Sequence, residues 1–382
     1  MTKRKRSRGE GTVAQAADGR WVGRASLGYK DGKRVRKAVY AQTKAEAVKK
    51  LRAVLTLRDT GQVVPVGAPT LAKFLGTWLE DCKHQSVRSS TYEGYERIVK
   101  LHVNPALGKV LIDKLRPDQI QAFLTQKGRN LAPATVKSFR VLLVGALEKA
   151  VVWGLVVRNV ARLTDAPHIP KPKVRTLTLA ESKIFLKALE GERFEALLVL
   201  SLTTGLRRSE ALGVSWDNLD LQRGQLQIRS GLQRIGTELK LVPTKSGKAR
   251  VVMLGRRAID ALTRHRTRQL EQKLAAGSTW PNDVIPGQTG LAFTTSAGTP
   301  VWPKTLDGHF KRVLVRAGLP NIRLHDLRHS CATNLLEQGV NAKIVSEMLG
   351  HSSISVTVDL YQHVSQTMQE SAVRMMDAAL GD

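Results

Sequence analysis

The sequence has few cysteines, few acidic residues and no long apolar run. Its only cysteines, Cys82 and Cys331, lie far apart, which argues against a disulfide framework and against a cysteine zinc cluster. No apolar stretch is long enough to cross a bilayer, and the opening MTKRKRSRGEG lacks the apolar core of a secretory signal. We therefore expect a protein of the reducing cytoplasm.

The shortage of acidic residues leaves a large positive charge. The 61 Lys and Arg outnumber the 32 Asp and Glu, and the formal net charge is +29. Self-repulsion of this size destabilises a compact chain unless a polyanion neutralises it. Nucleic acid is the leading candidate, because Lys and Arg release the counterions of a phosphate backbone. An anionic membrane is the alternative, but neither a basic amphipathic helix nor a lipid signal is evident.

The length of 382 residues is too great for one typical domain, and an apolar fraction of 42% can supply real cores. TGQVVPVGAP at 60–69 and the proline-rich DAPHIPKPKVRTL at 165–177 are typical of linkers. They predict domains at 1–61, 70–162 and 175–382. We expect a multidomain, mainly α protein with small β-sheets.

The first domain, 1–61, is the most basic, with 17 Lys and Arg against 5 Asp and Glu. Its β-prone runs are bounded by two turn signals, at Asp18-Gly19 and Asp31-Gly32. A three-stranded sheet should form here, followed by a helix that Thr43 and Glu46 cap. Such a sheet either lies in a groove of DNA or is an edge sheet kept soluble by charge, and the charge density favours DNA.

The second domain should contain four helices that can pack as a bundle. The predicted features are an apolar stripe from Leu71 to Cys82, a helix capped by Ser90 and Glu93 and ended by LHVNP at 101–105, a third helix from about Asp118, and a fourth over 134–152.

The third domain, 175–382, is predicted to be mixed and mostly helical. An apolar helix over Phe194–Leu202 leads into TTGLRRSEALG. A β-meander should follow, with strands near Leu226–Ser230, Leu239–Pro243 and Ala249–Leu254.

Four short motifs in this domain carry polar groups, and each has an ordinary structural interpretation. In TGLRRSEAL, Gly205 closes a helix and Ser209 caps a short one, which places Arg207 on a tight turn within reach of Glu210. PTKSGKARVVML is typical of a hairpin with Lys245 near its turn. A hairpin lysine is usually solvated, although one at a tip can reach a cleft and donate a proton.

The other two motifs are rich in histidine. HDLRHS places His325, Arg328 and His329 on one helix face, beside a buried stripe of leucines and a cysteine. Solvation is the ordinary interpretation of such a face, and zinc binding is disfavoured because no carboxylate or thiolate has matching spacing. LGHSSISVTVDLYQH contains His351 and then Tyr361, and a tyrosine on a β-branched stretch is more often structural.

Together and in this order, the four motifs resemble those of the tyrosine recombinase (phage integrase) family. The resemblance covers roughly 175–375 as a catalytic domain, and the segments before it resemble the core-binding domain and, as in the integrase branch, the arm-binding domain. Arg208 and His329 are alternative candidates for the active site, but the family's TG-x-R and HxxRH spacings select Arg207 and His325 instead. The active site implied by the resemblance consists of Arg207, Lys245, His325, Arg328, His351 and Tyr361.

The implied activity is site-specific cleavage and rejoining of DNA through a covalent 3′-phosphotyrosine, which integrates or excises a mobile element such as a phage genome. Tyr361 would attack the phosphorus, while Arg207 and Arg328 would bind the non-bridging oxygens without metal, ATP or another cofactor. The remaining roles are proton acceptance or orientation by His325, a hydrogen bond to the phosphate from His351, and general-acid catalysis by Lys245.

The implied partners are double-stranded DNA attachment sites and three further copies of the chain in a homotetramer, in the cytoplasm of a bacterial host. DNA-bending accessory proteins are compatible with this picture. The apolar residues of the tail, 364–382, could dock on a neighbouring protomer or on their own domain. A type IB topoisomerase-like strand transferase and a non-catalytic DNA-binding regulator are the alternatives, and the basic N-terminal arm favours recombination.

Overall fold

The computed structural model of the chain comprises two compact units, Met1–Lys171 and Pro172–Asp382. Their boundary lies in the proline-rich segment predicted to be a linker, whereas the division at 1–61, 70–162 and 175–382 stays a prediction. No helix in the described part of the chain is both long enough and apolar enough to span a bilayer. The structure describes residues 11–30, 33–60, 68–170, 174–244, 247, 249–281, 285, 290–350, 353–354, 373–374, 376–378 and 380–381.

The N-terminal sheet is antiparallel, with the strand order β1-β2-β3. The hydroxyl of Thr43 accepts a hydrogen bond from the backbone N–H of Glu46 at 3.2 Å, and this cap opens the following helix. The three-stranded sheet and its helix are therefore confirmed, while the turn predicted at Asp31-Gly32 lies outside the described residues. The elements are β1 (Thr12–Gln15), β2 (Trp21–Lys30), β3 (Lys33–Ala41) and α1 (Lys44–Asp59).

The segment after residue 68 is helical, as predicted, and buries one apolar core that includes Phe74, Trp78 and Phe139. Two π-helical turns, Leu79–Lys83 and Val99–Val103, extend the first two helices. The helices are α2 (Leu71–Trp78), α3 (Ser89–Ile98), α4 (Asn104–Leu107), α5 (Pro117–Gly128) and α6 (Pro133–Val152).

Two details of this bundle were predicted wrongly. Helix α3 is not capped by Ser90, because the N-cap position is occupied by Arg88 and Ser90 already lies in the first turn. LHVNP does not end the helix either: the N–H of Asn104 bonds to the carbonyl of Val99, and the chain continues as α4. Pro105 is tolerated because it lies in the first turn of α4, where its missing N–H would have no helical partner.

The second unit combines helices with two small antiparallel sheets around a main apolar core, and a smaller apolar cluster lies between its last two long helices. Its helices are α7 (Leu179–Ala188), α8 (Glu195–Thr204), α9 (Arg208–Leu212), α10 (Arg256–Ala276), α11 (Pro303–Arg316), α12 (Asp326–Glu337) and α13 (Ala342–Leu349). Its strands are β4 (Leu219–Asp220), β5 (Gln225–Ile228), β6 (Ser230–Ile235), β7 (Glu238–Pro243) and β8 (Arg250–Met253).

The predicted β-meander is wrong, because these strands do not pair in sequence order. Strand β5 lies between β4 and β8, while β6 and β7 form a separate two-stranded sheet that turns at Gly236. The hairpin predicted for PTKSGKARVVML is wrong for the same reason. Strand β7 pairs with β6 and strand β8 pairs with β5, so the strands on either side of this segment belong to different sheets.

Helix α8 is the central element of this unit. It is apolar on all sides and almost completely buried, as expected of a helix surrounded by protein. Helices α10 and α12 both pack against it. Its C-terminal end therefore lies beside the start of α12, where two of the sequence motifs meet.

Candidate active site

The turn after α8 presents Arg207. Gly205 ends α8 in the left-handed region with φ +63°, as predicted from the sequence. Arg207 itself, and not Ser209, occupies the N-cap position of α9. The carboxylate of Glu210 accepts a bond from the backbone N–H of Arg207 at 3.0 Å and another from its Nη1 at 2.9 Å. The predicted contact between Arg207 and Glu210 is thus present in the structure.

Glu210 is buried and also binds a second arginine. Arg250, at the start of β8, donates from Nη1 to Oε1 at 3.1 Å and from Nη2 to Oε2 at 2.7 Å. Burial acts to raise the pKa of Glu210, but the hydrogen bonds and charges of the two arginines outweigh it and lower the pKa below its usual value. The carboxylate therefore stays ionised at neutral pH.

Arg328 reaches the same turn from α12. Its Nη1 donates to the carbonyl of Gly205 at 2.8 Å, and its Nη2 is buried without a hydrogen-bond partner among the described residues. Burial, followed by repulsion from Arg207, lowers the pKa of Arg328 to about 9. The guanidinium is still mainly charged at neutral pH, and it has an unused donor where a bound anion would relieve the cost of burial.

His325 occupies the N-cap position of α12 and packs edge-to-face with His329, at 5.2 Å between ring centroids. Partial desolvation, then the positive neighbours His329 and Arg328, lower the pKa of His325 to about 4, although part of its ring still reaches solvent. The imidazole is therefore neutral at pH 7 and can accept a proton. At the start of α12, Asp326 accepts hydrogen bonds from Arg323, the shortest of which is 2.7 Å, and these bonds hold the turn that carries His325.

An open cleft of about 950 Å³ lies in front of these groups and joins Arg207 to His325. One wall is the start of α11, and another is β6. The ion pair between Arg208 and Asp307, at 2.5 Å, links α9 to α11. The cleft attracts anions because its described lining carries one acidic residue, Asp307, against six basic ones, namely Arg207, Arg208, Arg234, Lys304, Lys311 and Arg323.

Helix α9 and strand β6 touch by their backbones beside this cleft. A Cβ added to Gly213 would lie 2.8 Å from the backbone N of Leu232, and one added to Gly231 would lie 3.0 Å from the carbonyl carbon of Ser209. Only glycine fits at this spacing. The contact fixes the distance between the helix that begins after Arg207 and the hairpin whose second strand leads to Lys245.

The structure thus brings together three of the six predicted residues, namely Arg207, His325 and Arg328. The other three, Lys245, His351 and Tyr361, lie outside the described residues. Gly350, which precedes His351 in the chain, does lie at this site, where its carbonyl accepts a 2.9 Å bond from Nη2 of Arg207. Thr244, which precedes Lys245, is buried directly after β7.

Sequence reasoning missed Arg250 and Arg323. Each forms a close ion pair with a buried carboxylate of the site, and neither was singled out as a candidate. Arg323 could have been found, because Asp326 follows it by three residues and such pairs meet at helix starts. Arg250 gave no local signal, since its partner Glu210 lies 40 residues earlier in the chain.

Two guanidinium groups and a neutral histidine thus lie together beside a basic cleft, an arrangement that suits the binding of an anion. The chain belongs to the phage integrase family, whose profile matches residues 175–368. The profile described as the phage integrase N-terminal SAM-like domain matches residues 70–127.

Curated relatives are similar over nearly the whole chain. A tyrosine recombinase XerC-like protein of Caldanaerobacter subterraneus subsp. tengcongensis is 32% identical over 367 residues, which cover 91% of this chain and 93% of the relative. An integrase of Streptomyces ambofaciens is 28% identical, covering 99% of this chain and 98% of its own length. These relatives favour the recombinase interpretation over the topoisomerase and regulator alternatives.

Solved structures share the fold. The Tn1549 transposon integrase, in complex with a circular intermediate DNA, has a TM-score of 0.69 at 21% identity and covers 81% of this chain and 100% of its own. A lambda integrase dimer bound to a COC′ core site has a TM-score of 0.57 at 17% identity, covering 95% and 97%. The predicted mainly α architecture with small sheets is therefore confirmed.

Proposed function

We propose that this chain is an integrase-type site-specific recombinase, which cuts and rejoins DNA through a covalent 3′-phosphotyrosine and so integrates or excises a mobile element. The observation that carries the proposal is the convergence of Arg207 and Arg328 on the turn at Gly205. One of the two guanidinium groups has a buried, unused donor in the described structure, and a basic cleft opens in front of the turn.

The arginines address the phosphate. Attack on a phosphodiester adds negative charge to the non-bridging oxygens, and a guanidinium can hold two oxygens in one plane while staying charged. Arg207 and Arg328 stabilise that charge, an effect worth several kcal/mol per well-placed donor. No metal ion or nucleotide is required for this part of the reaction.

Four further groups complete the reaction. The phenol of Tyr361 attacks the phosphorus, and His325 either accepts its proton or orients it for attack. Lys245 gives a proton to the leaving 5′-oxygen, and His351 donates a hydrogen bond to the phosphate. One phosphodiester replaces another, so a second 5′-hydroxyl can reverse the step without an energy source.

The assembly we propose is a homotetramer that holds two duplex attachment sites. One solved neighbour is described as a lambda integrase tetramer bound to a Holliday junction, with a TM-score of 0.56. In this proposal the domain at 1–61 binds arm-type sites, the domain at 70–162 binds core sites, and the domain at 175–382 cleaves. DNA-bending accessory proteins would assist, and the tail at 364–382 would dock within or between protomers.

A suicide substrate tests the proposal. A duplex that carries the attachment site and a nick close to the scissile phosphate should trap a covalent complex, and peptide mapping should locate the adduct on Tyr361. Tyr361→Phe should abolish the adduct, while Tyr95→Phe, which changes a phenol of the helical bundle, should leave it. Failure of the wild-type protein to form any adduct, or persistence of the adduct in Tyr361→Phe, would refute the assignment.

A further inference from the structure

Arg250 has no role in the reaction proposed above, yet all three nitrogens of its side chain donate hydrogen bonds within the site. Its side chain is only 12% exposed. Both terminal nitrogens donate to the Glu210 carboxylate, and Nε donates to the carbonyl of Met348 at 3.2 Å. A single guanidinium thus joins β8 to α9 and to the last turn of α13.

The contact with α13 continues two residues further, at Gly350. This residue ends α13 with φ +68°, and a Cβ placed on it would lie 2.9 Å from Nη1 and 3.0 Å from Cζ of Arg250. The guanidinium therefore packs directly on the glycine backbone. From the other side, Nη2 of Arg207 donates to the Gly350 carbonyl at 2.9 Å.

These contacts form a closed unit, which we call the Glu210 clamp: Arg207, Glu210, Arg250 and the carbonyls of Met348 and Gly350. The two guanidinium groups share one carboxylate. Both also donate to carbonyls at the end of α13, directly before His351 in the sequence. Arg207 lines the cleft and is 23% exposed at its side chain, whereas Arg250 does not line it. Of the two arginines in the clamp, only Arg207 is therefore in a position to contact a ligand in the cleft.

The geometry points to Arg250 as a positioning residue for DNA cleavage. By occupying both oxygens of Glu210 it fixes the carboxylate that orients Arg207, and by holding Met348 and Gly350 it fixes the end of α13 against the same pair. This inference rests on the proposed function, because the group that Arg250 positions is one of the arginines assigned to the scissile phosphate. It predicts an effect on the rate of cleavage at saturating DNA, with little effect on affinity.

A purely structural role for Arg250 would also reduce activity, so the test needs a readout that separates the two roles. A double-mutant cycle does this, because two residues that act through one contact are not additive. If Arg250 acts by orienting Arg207, its removal should cost little once Arg207 has already been replaced. If Arg250 only stabilises the fold, its removal should cost the same in both backgrounds.

The experiment measures single-turnover covalent trapping on the suicide substrate with the full-length protein. The variants are R250M and R250K, each in the wild-type and in the R207K background. We expect R250M to slow trapping by about 30-fold in the wild-type background and by less than about threefold in R207K, with DNA affinity changed by less than about twofold.

R316M is the matched control. Arg316 also bridges a carboxylate and a helix-end carbonyl, with 2.7 Å to Glu192 and 2.9 Å to Ala188, but it lies away from the cleft lining. Its trapping rate should equal that of the wild type. Removing a guanidinium from a buried pair costs stability, so R250K is the second variant: its ammonium keeps the charge but cannot hold both Glu210 oxygens and Met348 together.

The outcomes are distinguishable. A wild-type protein that forms no adduct at Tyr361 defeats the proposed function itself. With an active wild type, a rate for R250M within about threefold of normal, or an equal loss in both backgrounds, overturns the positioning role. If R250M does not fold, R250K decides: about a fivefold loss confined to the wild-type background supports the role, and no loss refutes it.

Discussion

Replacing Gly205 by alanine adds a single methyl group, but it should destabilise the second unit strongly. Gly205 ends α8 with φ +63°, and its carbonyl holds Nη1 of Arg328. A Cβ added there would lie 2.2 Å from Cδ2 of Leu349, a buried residue of α13, and 3.4 Å from Sγ of Cys331. The new methyl group therefore meets a packed side chain and cannot point elsewhere.

Two costs add in this variant. The left-handed conformation costs a non-glycine residue about 1–2 kcal/mol. Apolar atoms rest about 3.5–4.0 Å apart. The overlap with Leu349 must therefore be relieved by changing the rotamer of that buried side chain or by moving α13 or α8, at about 1–3 kcal/mol for overpacking a core. We expect Gly205→Ala to lower the free energy of unfolding of this unit by about 2–5 kcal/mol in total.

The assay is hydrogen–deuterium exchange of α8 and α12 peptides in increasing urea, which reports the free energy of opening locally in the full-length chain. Gly236→Ala is the matched control, because Gly236 has φ +59° but nothing within 4 Å of an added Cβ. It should cost only the conformational part, about 1–2 kcal/mol. Equal losses in the two variants would refute the reasoning, since the contact with Leu349 would then carry no energy.

Further predictions concern the cleft and the helix that carries Arg328. Lys304→Ala should weaken DNA binding and reduce the slope of log affinity against log salt by about 1, whereas Lys343→Ala, outside the cleft lining, should not. Because the pKa of His325 falls from 6.5 to about 4 on folding, the unfolded chain binds its proton first, and stability is lost as the pH falls through this window. His325→Gln should therefore flatten the fall in Tm between pH 6.5 and 4, and an unchanged profile would contradict the lowered pKa. Ser330→Ala should cost about 1–3 kcal/mol in denaturant unfolding, because it leaves the buried N–H of Leu177 without the hydroxyl that accepts it at 2.9 Å.

Local chemistry explains what could be predicted from the sequence. Gly205 as a helix stop, Thr43 as a cap and the pair between Arg207 and Glu210 all depend on residues within four positions of each other, and all three are present. The resemblance added the order of the motifs. Arg207 and His325 line one cleft, while Arg328 lies behind it at Gly205.

The features that were predicted wrongly or overlooked depend on partners that are distant in sequence. The segment after β7 was predicted to be a hairpin because it contains residues typical of a turn. Strand β8 instead pairs with β5, more than twenty residues earlier in the chain. Arg250 was overlooked because Glu210 and Met348 lie 40 and 98 residues away in the chain. Arg328 was weighed as part of a solvated basic face, yet it is buried, because Gly205 supplies a carbonyl deep in the unit.

The backbone contact between Gly213 and Gly231 has a consequence for re-engineering the protein towards new DNA targets. The two glycines place no side chain between α9 and β6, so the main chains approach directly and set that spacing together with the side chains of Ser209 and Leu241. Gln233 and Arg234, further along the same strand, lie on the cleft wall and can be randomised in a library without altering the frame that carries Arg207. Variants selected for altered sequence preference should therefore accumulate changes at these two positions while both glycines are retained.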